Sequence, residues 1–192
     1  MTPQGTAQSD VSATNAETSD LFSAMRRRRM HRDFLPRQVA SELMDQLLYA
    51  ASRGPTARAD LRHIVVTQDP RLIRSIKQVA PGWLNNAPAM IAICTDTAKA
   101  DELLGPSADK ATILDSGAAA GYVSLAAPVL GLGICFTTSW PAQAIQGVLD
   151  LPNHIRPDVL LAVGYPIPHP QKAPARFRPT LHQDRFGQAA RS

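Results

Sequence analysis

The sequence predicts an α+β fold, with helices packed around one central sheet. Three observations predict it. The 192 residues, 44% of them hydrophobic, suffice for one core. Short continuous apolar runs read as strands, and segments with helical apolar spacing alternate with them. The domain is expected to span residues 21–187, with an irregular arm over 166–187. Ahead of it, residues 1–20 are mostly Thr, Ser, Ala, Gln and Asn, offer almost nothing to bury, and are expected to form a disordered tail. The opening has neither the basic region nor the apolar segment of a signal peptide. Nor is there an apolar run of about 18 residues, so a soluble, cytoplasmic protein is expected.

The elements follow in order. A short helix is expected over 20–29, with Asp20 as its N-cap and Leu21, Phe22 and Met25 on one face. The next starts at Ser41, read as an N-cap, and spaces Leu43, Met44, Leu47, Leu48 and Ala51 helically until Gly54-Pro55. Residues 63–67 read as a buried strand, and Asp69-Pro70 opens a helix carrying Leu72, Ile73, Ile76 and Val79. A second apolar strand, 90–95, leads into a polar loop of about ten residues. From Asp109 a long helix runs to Gly131-Leu132-Gly133, with Pro128 near its end and a small-residue patch at Gly117-Ala118-Ala119-Ala120-Gly121. A strand at 134–137, a short helix opened by Pro141, and a strand at 159–164 complete the order. Gly131-Leu132-Gly133 ends a helix where a nucleotide-binding glycine loop would begin one, and no GxGxxG follows the first strand.

Cys94 and Cys135 each lie in an apolar run without a CxxC partner, which predicts buried reduced thiols. The five histidines, His31, His63, His154, His169 and His182, lack metal-ligand spacing, and neither a metal nor a catalytic histidine is expected. Trp83 and Trp140 are read as packing residues.

Charge is unevenly spread. Residues 21–80 carry +7 and residues 168–192 carry +4, whereas residues 81–167 carry −4. The run Arg26-Arg27-Arg28-Arg29, with Arg32 close behind, places like charges side by side, and something anionic must compensate them. A phosphate monoester suits bidentate guanidinium contacts, and Arg176 and Arg178 could complete such a clamp. A solvated helix end or a nucleic-acid patch is the other reading of the run. With only ten aromatic residues, none interleaved with the arginines, a stacking platform for nucleic acid is poorly supported.

Several segments resemble the nitroreductase family in order. Arg28-Arg29-Met30-His31-Arg32-Asp33-Phe34 resembles its Arg-Arg-Ser-x-Arg-x-Phe opening, with Met30 in place of the serine. Pro55-Thr56-Ala57 resembles its Pro-Ser-Ala turn, and Asp115-Ser116-Gly117-Ala118-Ala119-Ala120 its Asp-x-Gly-Ala-Ala-x helix. Leu149-Asp150-Leu151-Pro152 and Gly164-Tyr165-Pro166 resemble its ending. The asparagine that commonly follows the Pro-Ser-Ala turn is absent, with Arg58 standing nearby.

The resemblance implies a mostly antiparallel sheet, a homodimer with FMN in clefts between the chains, and NAD(P)H as electron donor. It implies that Arg28, Arg29, Met30 and Arg32 contact the flavin, that Thr137, Thr138 and Ser139 approach its ring, and that Arg176 and Arg178 reach its phosphate. The flavin carries the chemistry, so no catalytic side chain is assigned. The expected activity is two-electron reduction of a small molecule such as a nitroaromatic or quinone, without membrane or nucleic-acid partners. Two alternatives stay open. One is an oxidase or dehydrogenase of a peptide-like metabolite, since Pro81-Gly82 with Trp83-Leu84 slightly resembles cyclodipeptide oxidase relatives. The other is an FMN binder without useful turnover.

Overall fold

In the computed structural model, residues 20–80, 86–168 and 180–188 are described. Four strands, β1 (Arg62–Thr67), β2 (Ala89–Asp96), β3 (Gly133–Thr137) and β4 (Ile155–Gly164), form one sheet in the order β1-β2-β4-β3. All three pairings are antiparallel. The central strands β2 and β4 are covered on both faces, which is why each reads as a continuous apolar run rather than an alternating one. Ile91 and Ile93 of β2, with Leu161 and Val163 of β4, pack under α2 (Ser41–Arg53) and α5 (Ala108–Val129). Met90 and Ala92, with Leu160 and Ala162, pack against Ile76 of α3 (Pro70–Val79) and Ile145 of α6 (Ala142–Val148). The period-2 alternation of two strands thus builds both halves of the core.

Local chemistry accounts for most element ends. The Asp69 carboxylate accepts the Arg71 N–H at 2.8 Å and Pro70 occupies the first turn, so α3 starts where expected. α5 ends on Gly131 at φ 69°, and the Leu132 N–H donates to the Ala127 carbonyl at 2.8 Å, a Schellman closure that follows directly after Pro128 in the last turn.

Four expectations are corrected. Ser41 is the first residue of α2 rather than its cap; Ala40 holds the cap position without a side-chain bond, and buried Met44, Leu47 and Ala51 anchor the helix instead. The first helix, α1, occupies residues 20–27 and stops two residues early, because the chain turns extended to join β3. The stretch expected as a polar loop contains α4 (Thr97–Leu104), capped by the Asp96 carboxylate on the Lys99 N–H at 2.9 Å; its apolar stripe is only Ala100 and Leu104, packed on Leu61 and Ala108. β4 begins at Ile155, not 159, since Pro157 sits at a bulge. There Ile93 pairs with Val159 and Cys94 with Pro157, leaving Asp158 as the extra residue.

The expected close approach on α5 moves as well. A Cβ on Gly54 would lie 2.6 Å from the Ala119 Cα, so the tight contact joins the end of α2 to the inward alanines of α5. Gly117 and Gly121 instead face open space. The expected tail lies outside the described residues apart from Asp20, as do Trp83 and residues 169–179 of the arm, His169 among them.

Candidate functional site

The arginine-bearing segment is an extended strip laid beside the sheet. Met30 bridges to Ile134 in parallel and Phe34 to Pro166 in antiparallel fashion. The His31 N–H donates to the Ile134 carbonyl at 2.9 Å, the Leu35 N–H to Tyr165 at 2.8 Å, and the Ile167 N–H to Asp33 at 3.1 Å. Extended backbone alternates its side chains, so Met30, Arg32 and Phe34 share one side, while His31 points to the other and lines a cleft there with Arg29.

On the first side Phe34 is fully buried beneath α3 and α6. The Arg32 guanidinium stands within hydrogen-bonding reach of the Cys135 thiol on β3. Thr137 lies two residues further along the same face of β3, buried, and Thr138 and Ser139 are exposed just beyond it. The strip and the end of β3 therefore bring Arg32 and the 137–139 segment to one face of the sheet. Burial raises the Cys135 thiol against the lowering influence of Arg32, and pushes Cys94 up to about 12 with help from Asp158. Both are buried, free thiols, as expected.

On the second side a cleft of about 580 Å³ is lined by Arg26, Arg27, Arg29 and His31, with Pro166, Ile167 and Pro168 opposite. Arg29 turns back over the end of α1 and donates to the carbonyls of Arg26 at 2.6 Å and Arg28 at 2.8 Å, satisfying helix-end acceptors. Among the described residues no carboxylate pairs with Arg26, Arg27, Arg28 or Arg29. Burial holds His31 below its ordinary value of 6.5, and the Arg29 charge adds to this. The unfolded chain then takes up a proton before the folded one does, so stability declines as pH falls through 6.5. Melting midpoints at about pH 7.5 and about pH 5.5 should differ less in His31→Gln than in the wild type. An equal difference in both would show that His31 does not contribute to the acid loss.

Neighbouring polar groups hold the turn at Pro55, Thr56 and Ala57. The Asp115 carboxylate accepts the Thr56 hydroxyl at 2.9 Å and the Ala57 N–H at 2.7 Å. The Arg62 guanidinium donates to the carbonyls of Ala51, Gly54, Pro55 and Asp115. Arg58 pairs instead with Asp60, which also binds Lys99. Two carboxamides bond backbone in the same two-way manner, Asn86 on Phe34 within the strip and Gln68 on Val39 beyond it. Sequence reasoning found neither, because such bonds join residues 52 and 29 positions apart and leave no local pattern. Arg176 and Arg178 lie outside the described residues.

Guanidiniums without carboxylate partners among the described residues, leading into a strip pinned to the sheet, suit a dianionic phosphate, so the donor set fits a phosphate-bearing cofactor. Residues 58–165 match the profile of the Nitroreductase family. The chain belongs to the nitroreductase family. A Methanothermobacter thermautotrophicus protein named as an NADH dehydrogenase/NAD(P)H nitroreductase is 30% identical over 159 residues, covering 79% of this chain and 80% of the relative. The FMN reductase [NAD(P)H] of Bacillus subtilis is 26% identical over 178 residues, covering 81% and 70%. A solved structure of an NADH dehydrogenase/NAD(P)H nitroreductase from Bacteroides thetaiotaomicron has a TM-score of 0.75 at 24% identity, covering 86% of this chain and 98% of that one.

As a nitroreductase-family member the protein is an FMN-dependent oxidoreductase. Of the segments whose resemblance led there, the Gly164-Tyr165-Pro166 ending pairs with the arginine strip, and the 55–57 turn is held by Asp115 at the start of the 115–120 segment. Trp140 packs partly buried against the core beneath α3 and α6, the role expected of it.

Proposed function

We propose that this nitroreductase-family enzyme is an NAD(P)H-driven reductase of small acceptors such as nitroaromatics or quinones. FMN, when bound, supplies the two-electron redox chemistry. The observation that carries the reading is the arginine run, without a carboxylate partner among the described residues, leading into a strip paired beside the start of β3 in a chain of this family. Arg28 and Arg32, with Met30 between them, line the cofactor's side of the strip, and Arg176 and Arg178 supply further charge for its phosphate. Arg29 supports the same strip from behind by holding the end of α1. Thr137, Thr138 and Ser139 approach the ring. A cation held at Arg32 favours the negative charge that accumulates on reduction. The printed names of the relatives support the donor and the activity.

The test is the visible spectrum of the purified protein, followed anaerobically as NADPH or NADH is added. A yellow protein that bleaches is expected. A yellow protein that does not bleach overturns the reductase reading in favour of an oxidase or a cofactor binder, and a colourless one that takes up no FMN overturns the cofactor assignment.

The enzyme is also proposed to be a homodimer. Leu21, Phe22, Met25, Tyr49, Tyr122 and Val129 are 44–68% exposed on α1, α2 and α5, around an apolar groove of about 730 Å³. Gly117 and Gly121 face outward on the same helix as Tyr122 and Val129. This surface is too apolar to suit solvent contact and matches what a second copy would cover. A Cβ at Gly121 would meet nothing within 4 Å among the described residues, so with leucine there the subunit should keep its circular dichroism. Overpacking between copies should cost about 1–3 kcal/mol, and dimer and FMN should be lost together. Equilibrium sedimentation decides this; a wild-type monomer that binds FMN tightly refutes the dimer. No helix among the described residues is long and apolar enough to cross a membrane, and a cytoplasmic setting is part of the proposal.

A further inference from the structure

We propose that Asn86 is a positioning residue for the cofactor site, holding Arg32 in register through the backbone of Phe34. This role presupposes the FMN reading above. The Phe34 N–H donates to Asn86 Oδ1 at 3.1 Å, and Asn86 Nδ2 donates to the Phe34 carbonyl at 2.9 Å. The strip's other edge is already occupied, since the Leu35 N–H and Asp33 carbonyl pair with residues 165 and 167. Phe34 is fully buried, so its own N–H and carbonyl have no recourse to water. A carboxamide carries the same donor and acceptor pair as a peptide group, and Asn86 stands where the next strand would be. Only one orientation of the amide satisfies both bonds.

Asn86 lies three residues before Ala89, the start of the central strand β2. Its short side chain therefore ties Phe34 to the most buried part of the sheet. Arg32 is two residues upstream on the same side of the strip, with its side chain exposed and its guanidinium near the Cys135 thiol. Without the tie, the last fixed point before Arg32 would be the bridge at Met30 on one side and the 165–167 pairing on the other. A guanidinium that is displaced or mobile loses the directional part of its contact with an anion.

Gln68 provides an internal control. It makes the same two-way carboxamide bond to Val39, at 2.8 and 3.0 Å, seven residues beyond Arg32 and on the approach to α2. Loss of either clamp orphans a buried backbone pair, yet only Asn86 bonds the arginine strip itself.

The test measures FMN affinity by fluorescence quenching, together with the reduction potential of the bound flavin and the melting midpoint, in Asn86→Ala, Asn86→Asp and Gln68→Ala. Asn86→Ala should weaken FMN binding about tenfold and lower the potential. Gln68→Ala should melt earlier while keeping affinity and potential. Asn86→Asp at neutral pH offers an acceptor but no donor; on protonation its carboxylic acid regains the donor, so its deficit relative to wild type should narrow as pH falls toward about 4–5. That recovery is not expected of a residue that only stabilises the fold, and it serves if the alanine variant does not fold. Wild-type affinity and potential in Asn86→Ala, or equal losses in Gln68→Ala, or a pH-independent deficit in Asn86→Asp, overturns the role of Asn86 while leaving the FMN reading intact. A wild type that binds no FMN overturns both.

Discussion

Replacing Asp158 with alanine is expected to remove about 3–5 kcal/mol of stability, because it takes the acceptor from the centre of a buried network. The side chain of Asp158 is 4% exposed and pairs with Arg156 at 2.6 Å. Its other oxygen accepts the hydroxyls of Thr95 at 2.6 Å and Ser116 at 2.7 Å, both on residues that are 2% exposed. Arg156 continues to Thr112 at 3.0 Å and to the largely exposed Asp109. One carboxylate therefore joins β2, β4 and α5, and alanine would leave the Arg156 Nε–H and two buried hydroxyls unmatched at once. Urea unfolding of the apoprotein measures the loss through its midpoint. The Asp158→Asn variant should lose less, since the carboxamide oxygen still accepts a hydrogen bond. A loss under about 1 kcal/mol in the alanine variant would show that the network relaxes around the deletion.

Arg28→Ala and Arg32→Ala should each weaken FMN binding by roughly ten- to hundred-fold, the equivalent of about 1.5–3 kcal/mol for one charge-assisted contact. Neither side chain contributes to the buried core, so the apoprotein should stay folded. Arg29→Ala should behave differently. Its guanidinium already serves the carbonyls of Arg26 and Arg28, so its loss frees the end of α1 and lowers affinity indirectly. FMN fluorescence titration separates the three. Unchanged affinity in both Arg28→Ala and Arg32→Ala sinks their assigned role, and a parallel loss of duplex DNA binding would revive the nucleic-acid reading of the run.

Gly131, Pro70 and the apolar runs of β2 and β4 were legible from the chain because their physics is local. A left-handed turn, a preset φ and burial on two faces each restrict residue type at one position or at a fixed spacing. The arginine run was legible for the same reason, since adjacent like charges need a compensating anion whatever the fold. α4 was not, because a helix of 8 residues with one small apolar stripe carries too little periodicity to separate from a polar loop. The early start of β4 was hidden by Pro157, which normally argues against a strand and is tolerated here only at the bulge that exposes Asp158 to its partners.

Sequence alone determined the fold class, most element positions, the anion-seeking charge and the family, all of which depend on residue types in order along the chain. Only the tertiary structure decided which side of the strip Arg32 takes, because side-chain direction there follows from the extended pairing at Met30 and Phe34 rather than from the sequence of charges itself. It likewise decided that the close approach on α5 is to Gly54 rather than at Gly117 or Gly121, that Asn86 pins the strip at Phe34, and that Gln68 and Asp158 tie distant parts of the fold. Those contacts close over long loops, and a hydrogen bond between distant residues imposes no spacing that a linear reading can detect.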